Sequence, residues 1–144
     1  LCALLNLKGY KLQTRIRIDR ALTEYFEQRN FAVAHCEYGT IVFHDDISSD
    51  DDLLEFLSKD YPVLSAYVNT MTETYCFDFY KNEKRIRTSW FSVAQPDINQ
   101  ESGEKLEWES SKKRIDIIFK GINSILNEEI QNSTYEVEWY LLPK

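Results

Sequence analysis

The stretch Tyr75 to Ser92, YCFDFYKNEKRIRTSWFS, alternates in character on both sides of a short polar segment, and this pattern constrains the chain more than any other. Residues spaced by two share a face of a strand, so such a segment reads as a β-hairpin. With Asn82 and Glu83 as the central turn residues, Phe79 would face Ile86, Phe77 would face Thr88, and Tyr75 would face Trp90. That face is largely apolar and is expected to build a core. The other face would pair Tyr80 with Arg85, Asp78 with Arg87 and Cys76 with Ser89, and a slip of one residue would mix the two sets. The hairpin therefore requires a sheet with one packed face and one polar face.

Other segments supply the partners. Leu12 to Ile18 alternates as a half-exposed strand, and from Asp19 to Asn30 the apolar residues Ala21, Leu22, Tyr25 and Phe26 recur at helical spacing. Phe31 to Cys36 and Thr40 to His44 read as two strands about Glu37-Tyr38-Gly39, where Gly39 can supply a positive φ. Ser49 lies three residues before Asp52, a capping-box spacing ahead of Leu53, Leu54, Phe56 and Leu57, and Pro62 bounds that short helix. Val63 to Val68 suits a further strand. A loop from 94 to 109 follows the hairpin, then a stripe of Ile115, Ile118, Phe119, Ile122, Ile125, Leu126 and Ile130 defines the clearest helix, with Gly121 as its weak point. The end alternates Tyr135, Val137, Trp139 and Leu141 against Glu136, Glu138 and Tyr140, as a strand does.

The order β-α-β-β-α-β-β-β-α-β implies one α+β domain over residues 1–144, a mainly antiparallel sheet with helices packed on one face. Its first six elements follow the split βαβ order of a ferredoxin-like unit. The free face of such a sheet is where a partner would dock. A single shared core is expected to contain Phe77, Phe79, Ile86, Trp90, Val137, Trp139, Ile118, Ile122 and Leu126.

The 144 residues carry 24 acidic and 17 basic side chains, a formal charge of -7, which disfavours a phosphate backbone as partner and favours a basic or neutral one. No apolar run reaches the roughly 20 residues of a membrane span, and LCALL is too short for the core of a signal peptide. Cys2, Cys36 and Cys76 form no CxxC pair, so reduced thiols in a cytoplasm are expected.

No residue set points to catalysis or to a cofactor. The five aspartates of DDISSDDD invite calcium, but the spacing lacks the glycine and bidentate glutamate of an EF-hand, and acidic residues at a helix start have a simpler cause in the helix dipole. His35 and Cys36 are neighbours on a strand and point to opposite faces, and neither Cys36 with His44 nor His35 with His44 gains further ligands. Glu101, Glu104, Glu107 and Glu109 read as solvated loop charge. The candidate binding residues are Tyr80, Arg85 and Arg87 on the hairpin's polar face, for holding a partner, and Asp51 and Asp52, for steering it. Three functional classes remain open: a protein-binding domain, a small-ligand binder or enzyme with a pocket between the C-terminal helix and the sheet, and a structural subunit of a larger assembly, which would show a large exposed apolar patch.

FDFYKNEKRIRTSWFS followed by ESGEKLEWE resembles a pattern in small bacterial immunity-like proteins of polymorphic toxin systems. The pattern is a strand ending in Tyr80, a turn over Asn82 to Lys84, a strand bearing Arg87, and a loop running from Gly103 to Glu109, within about residues 50 to 110. Glu83 departs from the glycine common in that turn. The resemblance implies a non-enzymatic cytoplasmic protein that neutralises a cognate toxin by direct contact.

Overall fold

The computed structural model describes residues 11–17, 30–43, 51–127, 129 and 136–141. The chain is α+β and its described strands lie in two four-stranded antiparallel sheets, where the sequence suggested one. It divides into two compact units, one formed by Leu1–Ile47 with Leu126–Lys144 and the other by Ser48–Ile125.

In the first unit β1 (Lys11–Arg17), β2 (Asn30–Cys36), β3 (Gly39–Phe43) and β8 (Glu136–Leu141) are ordered β1-β8-β2-β3. The last strand inserts between the first two, so the ferredoxin-like order expected of the first six elements is not formed. β8 satisfies β1 and β2 at once, with Val137 opposite Ile16 on one side and Ala34 on the other. Val33, Ala34 and Val137 are fully buried, and Arg15 donates to Glu138 Oε1 at 2.8 Å across the β1–β8 pair. Gly39 pairs directly with Cys36 and has no positive φ, so the turn Glu37-Tyr38 closes without the conformation expected of Gly39. The helix expected over 19–30 lies outside the described residues, apart from Asn30, which opens β2.

The second unit is built on β4 (Val63–Asn69), β5 (Thr74–Tyr80), β6 (Arg85–Ser92) and β7 (Gln100–Ser102), in that spatial order. Asn82 and Glu83 are indeed the central turn residues, both with φ near +55° (55° and 57°), as a tight hairpin turn requires. Tyr80 pairs with Arg85 as the alternation predicts. Beyond that point Ile86 is an extra residue: Phe79 faces Arg87, Asp78 faces Thr88, and Cys76 faces Trp90. A bulge of one residue exchanges the faces of everything that follows it. Arg87 therefore does not oppose Asp78, Ile86 is 40% exposed rather than part of the core, and Trp90 joins the polar face.

The helix-packed face of this sheet holds Leu64, Tyr75, Phe77 and Phe79, and against it lie Trp108 and α2 (Arg114–Leu126) through Ile117, Ile118 and Ile122. The Phe77 and Trp108 rings sit 5.1 Å apart. Gly121 is where α2 passes Trp108; a Cβ there would stand 2.9 Å from the indole, so the residue that weakens the helix also admits the ring. Asn127, with φ 53°, ends the helix in the left-handed conformation usual at that position. The helix α1 (Asp51–Leu57) presents Ser58 at its end, whose carbonyl and hydroxyl accept from the turn amides of Asn82 and Glu83 at 2.9 and 3.0 Å. Ser49 and Asp45 to Asp50, including the expected cap, lie outside the described residues.

The bulge delivers Arg87 to the packed face, where its side chain is 2% exposed. Its Nε and Nη2 donate to the two oxygens of Glu109 at 2.9 and 2.7 Å, Nη1 donates to the Ser102 carbonyl at 3.0 Å, and Nη2 reaches Glu101 at 3.3 Å. Glu109 Oε1 also accepts from the Leu106 amide at 2.7 Å. Glu101 and Glu109 are thus partners of a buried cation and not free loop charge. Gly103, with φ 78°, lies against the carbonyl of Ile86 so closely that any Cβ would collide with it, which ties this glycine to the bulge.

Arg87→Leu is expected to lower the unfolding free energy by about 3 to 5 kcal/mol, because Glu109 is left buried without its counter-charge. Adding Glu109→Gln should restore part of that loss in denaturant titrations. Glu101 is partly desolvated, which acts upward, but the Arg87 guanidinium outweighs this and holds its carboxyl below the usual value. A depressed folded value means stability that is present above the unfolded value and lost as pH falls through the folded one. The difference in Tm between the wild type and Glu101→Gln should therefore be full above about pH 5 and shrink below about pH 4.

Candidate functional site

The other face of the second sheet is open. Through the pairing of β4 with β5 and β5 with β6, Ser65, Tyr67, Asn69, Thr74, Cys76, Asp78, Tyr80, Arg85, Thr88 and Trp90 share that side. Together with Asp51 of α1 and with Ala94, Gln95 and Ile98, most of them line a groove of about 490 Å³. Between α2 and the sheet, side chains pack against one another, and the cavity bounded there by Tyr75, Phe77, Arg114, Ile117 and Ile118 measures about 10 Å³.

The floor of the groove is a closed polar network. Asp78 is buried, and its Oδ1 accepts from Thr88 Oγ1 at 2.6 Å while Oδ2 accepts from the Trp90 indole at 2.9 Å. Burial of a carboxylate is tolerated when donors and a nearby cation compensate it, and Arg85 Nη1 lies 3.9 Å from Oδ1. At one end, Asp51 Oδ1 accepts from the Tyr80 hydroxyl at 2.7 Å, and both its oxygens accept from Arg85 Nη1 at 3.2 and 3.0 Å. Burial raises the Tyr80 phenol well above the ordinary tyrosine range, and its bond to the Asp51 carboxylate adds to this. Burial acts downward on Arg85, but the carboxylates of Asp51 and Asp78 outweigh it and hold the guanidinium above its usual value. Burial likewise pushes the Cys76 thiol up, and the charge of Asp78 acts in the same direction.

The five residues proposed from sequence therefore separate. Tyr80, Arg85 and Asp51 come together at one end of the groove, but the Tyr80 side chain is fully buried, with its hydroxyl on Asp51, and does not face the groove as the alternation suggested. Arg87 lies on the opposite face of the sheet, enclosed, because of the bulge at Ile86. Asp52 is exposed on the first turn of α1. Trp90, Thr88 and Tyr67 were not foreseen in the groove: Trp90 and Thr88 read as core residues in an unbulged register, and no signal in RIRTSWFS marks the extra residue. Elsewhere, His35 is exposed and Cys36 is half-buried on β2, while His44 lies outside the described residues.

Comparison with known families, with curated proteins and with solved structures finds no match. No helix among the described residues is long and apolar enough to cross a membrane.

Asp78→Asn can still accept from the Trp90 indole, but it turns an amide donor toward Thr88, whose hydroxyl must then accept rather than donate, and it loses the charge beside Arg85; it is expected to cost about 1 to 3 kcal/mol. Asp51→Asn removes a partly exposed ion pair and should cost under about 1 kcal/mol. Thermal or urea unfolding of the two variants gives the comparison directly.

Proposed function

We propose that this chain is a protein-binding domain that uses the groove face of its second sheet, and that it acts as an immunity-like protein in the cytoplasm against a basic toxin domain. The observation that carries the reading is the make-up of that face: Tyr67 is 51% exposed, Trp90 is half-buried at the groove wall, and Arg85 is accessible beside them. Tyr, Trp and Arg are the residues that most often hold protein interfaces together. The geometry of Trp90 and Arg85 is set before any partner arrives, since Asp78 fixes the Trp90 indole and Asp51 fixes Arg85. Ordering them in advance lowers the entropic cost of association.

The carboxylates of the groove hold neighbouring donors, so the arrangement suits recognition by shape and aromatic contact. Charge acts at longer range. A chain of -7 draws in a basic surface faster than a neutral one would, and the likeness of the hairpin and following loop to immunity-like proteins agrees with such a partner.

The test is the product of the neighbouring gene. A large protein with a toxic C-terminal domain should bind this chain and lose its toxicity on co-expression, whereas toxicity unchanged by co-expression refutes the immunity role. Against that partner, Tyr67→Ala and Arg85→Ala should each speed dissociation, by a cost of about 1 to 3 kcal/mol. Asp52→Asn should mainly slow association and reduce its dependence on salt. Unchanged dissociation for a folded Tyr67→Ala, Arg85→Ala double variant would remove the groove face from the interface.

A further inference from the structure

The two edges of the second sheet are built differently. β7 is three residues long and carries Glu101 at its centre, features that blunt an edge against further pairing. β4 has seven residues, VLSAYVN, with no charge, no proline and an unbroken register along β5. Among the described residues it bonds to β5 on one side only, so its outward amides and carbonyls have no strand partner there. Ala66, Tyr67 and Val68, at and beyond its midpoint, are exposed although they alternate between the two faces, so the edge is accessible to another strand from either side.

We propose that β4 is a self-pairing edge, and that two copies of this chain join through antiparallel β4 strands about a two-fold axis at Ala66. Ala66 is the middle residue of Val63–Asn69, so this register overlaps all seven residues. It sets Ala66 against its own copy, Ser65 against Tyr67, Leu64 against Val68 and Val63 against Asn69, with no like charges opposed. The same axis explains two further exposures. Met71 and Tyr61, the most exposed large apolar side chains among the described residues at 95% and 76%, lie at equal distances along the chain from Ala66. Pairing brings Tyr61 of each copy to the end of the strand where the other carries Met71. A second copy is favoured over a charged partner segment because the strand is neutral and the two-fold register brings the exposed Tyr61 of one copy to the exposed Met71 of the other. The inference is independent of the proposed function.

The contact is one strand wide, so a weak reversible dimer is expected. Sedimentation of the wild-type chain from about 10 µM to about 1 mM should show a concentration-dependent rise toward twice the monomer mass. Each copy carries -7, so added salt should strengthen association. Ala66→Lys places two like charges on the axis and should weaken the dimer by at least about tenfold while the thermal transition is retained. Amide exchange in wild-type β4 should slow as concentration rises, a readout that needs no variant. A chain that stays monomeric throughout, β4 amides whose exchange does not depend on concentration, or a folded Ala66→Lys variant that dimerises as well as wild type would overturn the proposal.

Discussion

The Arg87–Glu109 ion pair organises the second unit. A guanidinium 2% exposed is tolerated only where its donors are met, and here two go to one carboxylate and another to the Ser102 carbonyl. Satisfying that cation holds together three segments of irregular or marginal structure: the start of β6, the turn into which β7 leads, and the 3-10 turn Glu107–Ser110. That turn carries Trp108 over Phe77 and against Gly121, so the ion pair also positions the ring that closes the apolar side of the sheet. A hydrophobic pair of equal volume could be as stable, but would not fix the loop carbonyls in place.

The bulge at Ile86 links this core to the groove. Without it Arg87 and Trp90 would exchange sides: the cation would leave Glu109, and Asp78 would lose its indole donor. One inserted residue thus serves both faces, and Gly103 is the cost in sequence freedom of packing a chain against it.

Much of the chain was legible from periodicity alone. The long C-terminal helix, the final strand, the hairpin turn at Asn82 and Glu83, and the first pair Tyr80 with Arg85 follow from spacing and turn chemistry. What periodicity cannot contain is a change of phase within a strand, because RIRTSWFS offers apolar or aromatic residues to either face. The roles of Glu101 and Glu109 were hidden for the same reason: their partner was assigned to the wrong side. The division of strands between two sheets was also not legible, since it depends on the pairing of β8 with β1, 123 positions apart at Arg15 and Glu138. Of the candidate site, Tyr80, Arg85 and Asp51 were found by residue type, whereas Trp90 needed the true register.

The insertion of β8 between β1 and β2 has a consequence for the chain as it leaves the ribosome. The second unit is continuous in sequence, from Ser48 to Ile125, and every strand of its sheet is available once Ser102 has emerged. β1 is the first described strand to be synthesised, yet the strand it bonds to, Glu136–Leu141, is the last described one. β1 must therefore wait, with its ladder to β8 unsatisfied, while a complete sheet assembles between it and its partner. Long-range pairing of this kind is slow and leaves an unpaired edge exposed during synthesis. Lys11, Arg15 and Arg17 along β1 are charges of the sort that keep such an edge from pairing with the wrong strand in the interval.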